Sequence, residues 1–280
     1  MQVIESILKL RETVQRWRSA SESIAFVPTM GNLHDGHICL VKEAKKVADR
    51  VVVSIFVNPT QFSPGEDFAA YPRTPGDDAE KLRMAGVDML FMPTVNVVYP
   101  ENATTFVEVP GLSDELCGKF RPGHFRGVAT VVFKLFNMVQ PDVALFGEKD
   151  WQQLTVIRRM VGDLNMPLRI IGVPTVREAS GLAMSSRNAY LSAEETRLAA
   201  VLYQALLSAK AALQAGDRNY AAIEQAQAER LSQDGFKVDY FAIRRSHDLL
   251  TPKPEDRDFA ILVAARLGRA RLIDNITLSL

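Results

Sequence analysis

The chain has 280 residues, 47% of them apolar, and its 33 Lys plus Arg balance 33 Asp plus Glu. That length buries a substantial core as one large domain or two modest ones, and zero net charge gives no field to draw in nucleic acid or an anionic membrane. Two cysteines, Cys39 and Cys117, exclude a disulfide framework and a four-thiolate zinc site and fit a reducing compartment.

Charges interrupt every apolar run in the first 20 residues, so no secretory signal is read there. Val3, Ile7, Leu10, Val14 and Trp17 recur at helical spacing and predict an amphipathic helix. SIAFVP (23–28) reads as a strand, followed by a helix over 37–49 with Cys39 on its buried face. VVVSIFV (51–57) is a second strand, and a Pro/Gly-containing loop (58–77) leads to a helix over 78–85 and a strand over 88–92. Val128, Val131, Val132, Leu135 and Val139 form one stripe of a helix over 126–139. A strand (143–147), a helix (150–161) and a strand (168–173) follow. No apolar run is long enough to span a bilayer, which predicts a cytoplasmic protein.

Apolar strands alternating with amphipathic helices imply an α/β domain over 1–175, with a parallel sheet covered by helices on both faces. From about 176 the pattern changes to helices over 193–213 and 218–233, then strands over 238–244, 259–267 and 270–278. These predict a smaller α+β domain, 176–280, with an antiparallel sheet. Ligands of open parallel sheets sit at the carboxyl ends of strands, and His34, Asn58, Gln61, Gly147 and Lys149 all follow predicted strands.

Two of the four histidines flank Gly36 in PTMGNLHDGHICLV (28–41). Three readings are open: a divalent-metal pair, a turn with solvated imidazoles, or a polyphosphate cradle. The third uses the unsatisfied amides and positive dipole end of a helix start, with neutral imidazoles as extra donors. In FGEKDWQQL, which follows a strand, Lys149 is either a solvated surface group or a compact cation that would reach phosphates, while Gly147 would admit a ribose closely and Asp150 would accept from its hydroxyls. In RPGHFRG, Arg121 is either part of a basic loop or a contact to an anionic substrate.

HDGH resembles the His-x-Gly-His signature of the adenylyl-transferring Rossmann-like superfamily. VPTMGNLHDGH, FVNPTQF, YPRT, RPGHFRGVATVV, FGEKDWQQL, MSSRNAYL and RLIDN, in this order over nearly the whole chain, closely resemble the pantothenate synthetase (pantoate–β-alanine ligase) family. The resemblance implies a Rossmann-like domain and ATP-dependent condensation of pantoate with β-alanine. A pantoyl-adenylate is the intermediate, and AMP and pyrophosphate are released. It implies an ATP site at Met30, Gly31, Asn32, Leu33, His34, Asp35, Gly36 and His37, continued by Gly147, Glu148, Lys149 and Asp150. Val176, Met184, Ser185, Ser186 and Arg187 complete it from the domain junction. Gln61, Gln153, Asn58 and Arg121 would hold pantoate, with Gln61 also meeting β-alanine. His37, His34, Lys149 and Arg187 would carry the catalysis, His37 in the family's role of acid, which we read as a donor to the phosphates in transit.

MSSRN departs from the superfamily's KMSKS loop by lacking its lysines, and this, with no basic aromatic module, argues against an aminoacyl-tRNA synthetase. Mg²⁺ would travel mainly with the phosphates, since no carboxylate cluster has metal-binding spacing. A homodimer through the N-terminal domain is implied by the resemblance. A plain nucleotidyltransferase and an inactive nucleotide-binding regulator are the competing readings. A dinucleotide oxidoreductase is disfavoured because no G-x-G-x-x-G follows the first strand.

Overall fold

Apolar strands can be buried only when both faces of their sheet are covered, and the first half of the chain supplies the cover by alternation. The computed structural model describes residues 1–63, 65–66 and 68–280; positions 64 and 67 of the predicted 58–77 loop lie outside the described residues. In chain order come β1 (Gln2–Ile4), α1 (Ile7–Ser19), β2 (Ile24–Thr29), α2 (Asp35–Val47), β3 (Arg50–Ile55), α3 (Pro75–Met84) and β4 (Met89–Phe91). Next are α4 (Val95–Val98), α5 (Cys117–Phe120), α6 (His124–Val139), β5 (Val143–Gly147), α7 (Trp151–Asp163) and β6 (Arg169–Val173). The second half contributes α8 (Ala193–Ala199), α9 (Val201–Gln214), α10 (Tyr220–Gln233), β7 (Lys237–Arg245), β8 (Asp258–Leu267) and β9 (Ala270–Ser279).

The first sheet has the order β1-β4-β3-β2-β5-β6, with every neighbouring pair parallel. Successive residues of a strand face opposite ways, so Ile24 and Phe26 pack under α1, α6 and α7 while Ala25 and Val27 pack under α2 and α3. Strand order reverses between β2 and β5, which opens a crevice between the connections that follow them. Antiparallel strands β7-β8-β9 form the second sheet. One of its faces buries Phe241, Phe259 and Ile261 against α9 and α10. The other places Ala242, Ala260 and Leu262 against Leu116 and Trp151 of the first half.

The predicted elements recur with shifted ends, and the short β1, α4 and α5 are additional to the sequence reading. Val3 is exposed and belongs to β1, whose three residues pair with Met89, Leu90 and Phe91. An edge strand that short carries no periodicity of its own, and α1 starts after Ser6, which caps it. α2 begins at Asp35, so His34 is its N-cap and His37 lies in its first turn. α3 begins at Pro75, α6 at His124 and α10 at Tyr220, while the 193–213 segment divides into α8 and α9 around Ala200. Cys39 is half-buried; Leu40, Val41 and Ala44 take the core face of α2. The four-residue α4 and α5 are too short to show a helical period.

α6 approaches the 3-10 turn Pro59–Gln61 so closely that a Cβ on Gly127 would lie 2.3 Å from the Thr60 carbonyl oxygen and 2.8 Å from the Gln61 Cα. Gly127→Ala should therefore destabilise the protein by about 1–3 kcal/mol through overpacking, read as a lower denaturant midpoint. An unchanged midpoint would mean that the turn retreats without penalty.

Candidate active site

The connection after β2 ends in a helix start whose amides need partners, and two histidines supply them. His34 Nδ1 accepts the Gly36 N–H at 3.2 Å, and His37 Nδ1 accepts the His34 N–H at 3.3 Å, forming a reciprocal capping box. A nitrogen that accepts carries no proton, so each neutral ring holds its hydrogen on Nε2. Burial, then Lys149, pushes the His34 pKa down to about 4; burial, then His34 and Lys149, pushes His37 down to about 3. The glycine between them is required sterically, because a Cβ on Gly36 would meet the His34 ring at 2.9 Å. The site therefore presents two neutral N–H donors.

Asp78 holds the preceding loop. It is 1% exposed, and its carboxylate accepts the Asn32 and Leu33 amides, both at 2.8 Å. Lys81 Nζ donates to the Leu33 carbonyl at 2.7 Å. Neither α3 residue is predicted from sequence, since only the fold brings them 45 or more positions back to the loop.

Gln61 is aimed by a chain of hydrogen bonds. Tyr99 and Thr60 hydroxyls donate to Asn58 Oδ1, and Asn58 Nδ2 donates to Gln61 Oε1 at 3.0 Å and to the Gly127 carbonyl at 3.1 Å. With its oxygen engaged, Gln61 presents Nε2, whose one protein partner among the described contacts is the Met30 sulfur at 3.1 Å. Asn58 itself is 1% exposed and engaged at both side-chain heteroatoms, which makes it the support of Gln61. Arg121 is likewise already paired. It clasps Glu66 through two 2.7 Å bonds, donates to His124 Nε2 at 3.0 Å and reaches the Gln61 carbonyl at 3.3 Å. Arginine has no acceptor and a carbonyl has no donor, so His124 must donate from Nδ1 to the Gln61 carbonyl, at 2.8 Å, as a neutral ring. Burial, then the Arg121 charge, lowers its pKa to about 4.

Lys149 and Asp150 lie on a 3-10 turn directly after β5, beside the histidine loop because β2 and β5 are neighbours. On α7, Gln153 points into the cleft. The adjacent Gln152 is buried and bonds the 112–117 backbone. From the second half, Ser186 Oγ donates to the Asn32 carbonyl at 3.1 Å, and Arg187 lies over the Tyr71 ring.

These pieces enclose a cleft of about 530 Å³. It is lined by Met30, His34, Gly36, His37, Asn58, Gln61 and Arg121, and by Gly147, Lys149, Asp150, Gln153, Val176, Met184, Ser185, Ser186 and Arg187. Five predicted residues stay off its wall. Leu33 is in the core, Asp35 is exposed, Gly31 backs on Asp78, Asn32 contributes its carbonyl to Ser186, and Glu148 faces Gly172. The wall also includes Tyr71, Tyr190 and the apolar Val128, Val131 and Phe146, which lie within the quoted motifs but are not among the predicted site residues. Among the described residues, no group of three or more His, Cys, Asp or Glu could hold a metal ion.

The family model described as pantoate-beta-alanine ligase matches residues 2–277. The chain is 60% identical to a pantothenate synthetase of Methylococcus capsulatus, covering 100% of this chain and 99% of the relative. It is similar to a solved pantothenate synthetase from Thermus thermophilus (TM-score 0.92, 47% identity, 99% of both chains). It also resembles a pantoate-beta-alanine ligase from Francisella tularensis solved with beta-gamma ATP and beta-alanine (TM-score 0.82, 34% identity, 99% and 97% of the two chains).

The three lowered histidines make stability depend on pH. Above about pH 6.5 they are neutral in both folded and unfolded chains; below it the unfolded chain takes up protons that the folded chain refuses until about pH 4 at His34 and His124 and about pH 3 at His37. Stability is therefore full above about pH 6.5 and declines as pH falls toward 4. Urea midpoints should be lower at about pH 5 than at about pH 7.5, and His34→Asn, which keeps a cap acceptor without a basic ring, should show a smaller decline. Equal midpoints for the parent chain would mean that the imidazoles protonate in place.

Proposed function

The chain belongs to the pantoate-beta-alanine ligase family, and from that premise we propose how its cleft joins pantoate to β-alanine with cleavage of ATP. The triphosphate lies along the start of α2, where the Nε2–H groups of His34 and His37 donate to it and Lys149 and Arg187 offset its charge. Gln61 and Gln153 hold pantoate, and the apolar wall of Val128, Val131 and Phe146 packs its methyl groups. A carboxylate oxygen of pantoate attacks the α-phosphorus while the bond to the bridging oxygen of the β-phosphate breaks, giving pantoyl-adenylate and pyrophosphate. The β-alanine amine then attacks the acyl carbon, loses a proton and expels AMP.

The observation that carries this reading is the pair of tautomer-locked neutral donors beside Lys149. No enzyme nucleophile is used; the chain contributes alignment and donors aimed at growing phosphate charge. An amide at position 61 also suits the attacking carboxylate, since it binds the oxygen without the full charge that would stabilise the nucleophile's ground state. Mg²⁺ would enter with the phosphates of ATP, offsetting their charge.

Residues 1–175 supply the nucleotide and pantoate walls, and 176–280 supply the cover. The family resemblance also supports a cytoplasmic homodimer through the N-terminal half, where Val95 and Phe106 are exposed. Light scattering that finds only a 31.1 kDa species would remove the dimer from this reading.

Protein mixed with ATP, Mg²⁺, pantoate and β-alanine should release AMP in a manner dependent on both organic substrates; ADP as product would refute the adenylate. His37→Ala should slow pantoate-dependent ATP–pyrophosphate exchange by roughly 100-fold or more, as loss of a transition-state donor does. Near-normal exchange would remove the residue from the mechanism. Gln61→Glu replaces the presented N–H by a carboxylate and should raise the KM for pantoate at least about tenfold while leaving that for ATP within about threefold. Equal losses for both substrates would count against the assignment.

A further inference from the structure

RLIDN (271–275) lies on β9, yet its last two residues grip both segments that reach the phosphates in the reading above. Asn275 is 5% exposed, and its Nδ2 donates to the Glu148 carbonyl at 2.9 Å and to the Lys149 carbonyl at 2.8 Å. Both amide hydrogens are thus used on the one turn that carries Lys149. The Asn275 N–H donates to Asp274 Oδ1 at 2.7 Å, and the Asn275 carbonyl accepts from Arg177 at 3.2 Å. Asp274 takes Arg177 in a fork at 2.6 and 2.9 Å. Arg177 in turn opens the hairpin with Ala183 from which Met184–Arg187 depart. The lysine turn and the covering loop therefore hang from adjacent residues of a strand in the other sheet.

We propose that Asn275 is a positioning residue for adenylate formation, fixing from the second sheet the backbone that aims Lys149; the inference rests on the role assigned to Lys149 above. A single hydrogen bond leaves a turn free to pivot, whereas two from one planar amide fix its orientation. Lysine is a long, flexible side chain, so its aim depends on where its root is held. A displacement near 1 Å at a reacting centre lowers rate by about 100-fold. No other common side chain of this size supplies two parallel N–H donors: aspartate supplies none and serine one.

The test is pantoate-dependent ATP–pyrophosphate exchange on the full chain for the parent, Asn275→Ala, Asn275→Asp, Lys149→Ala and the Asn275→Ala/Lys149→Ala double variant. Asn275→Ala should lose about 10–100-fold in kcat with the KM for ATP within about threefold, and Asn275→Asp at least as much. Both should keep the parent's circular dichroism. The double variant should be no slower than Lys149→Ala, because the amide acts through that lysine. Independent, multiplying losses would overturn the proposal. So would failure of both position-275 variants to fold, which would make the residue one of stability. Near-normal exchange by Lys149→Ala is a separate failure: it would sink the site reading first, and this inference with it.

Discussion

The amides at the start of α2 must find acceptors, and in this chain the acceptors are imidazole nitrogens. That requirement has consequences beyond helix stability. It holds Nδ1 of each ring against the backbone, leaves the hydrogen on Nε2, and removes the choice of tautomer that a free histidine has. Burial beside Lys149 disfavours a second proton. A local capping problem is thereby converted into two fixed, uncharged donors. They sit where the helix dipole and the strand ends already favour an anion.

The rest of the cleft follows a related logic, in which groups with one possible hydrogen-bonding role dictate the roles of groups with two. Arg121 only donates and the Gln61 carbonyl only accepts, so the ring of His124 between them has a single allowed state. Two hydroxyls donate into Asn58, which commits its amide nitrogen to Gln61 and so turns the Gln61 nitrogen outward. Buried polar groups are unfavourable unless every member is satisfied, and here satisfaction fixes the direction in which a cleft-lining group points. Asp78 applies the same principle to backbone, binding two consecutive amides of a loop that belongs to no regular element.

The two sheets are joined by polar as well as apolar contact. Trp151 donates to the Ser246 carbonyl, Cys117 meets the Tyr240 hydroxyl at 3.0 Å, and Arg271 bonds Asp239 while approaching the Cys117 sulfur. These contacts lie at the start of α7 and around α5, next to the turn that bears Lys149. The second sheet is therefore part of the frame that gives the first sheet's loops their geometry.

How much of this was legible in the chain depended on range. Strand and helix periods, the helix start at HDGH and the change of character near residue 176 are local signals, and they recur in the structure with shifted ends. The short β1, α4 and α5 carry too few residues for a period to show. Gln61, Gln153, Lys149 and the histidines could be named because they follow strands or sit in motifs, and they meet in one cleft. Asn58 and Arg121 line the same cleft and are also tied to the protein itself. Their protein partners, at Gly127 and Glu66, lie 69 and 55 positions away. Sequence by itself determined which segments form strands and helices and which residue types stand at the strand ends, because these follow from nearest-neighbour geometry. Only tertiary structure decided which of those side chains face the cleft and which brace it, because an acceptor's direction is set by a donor that the chain brings back from far along its length.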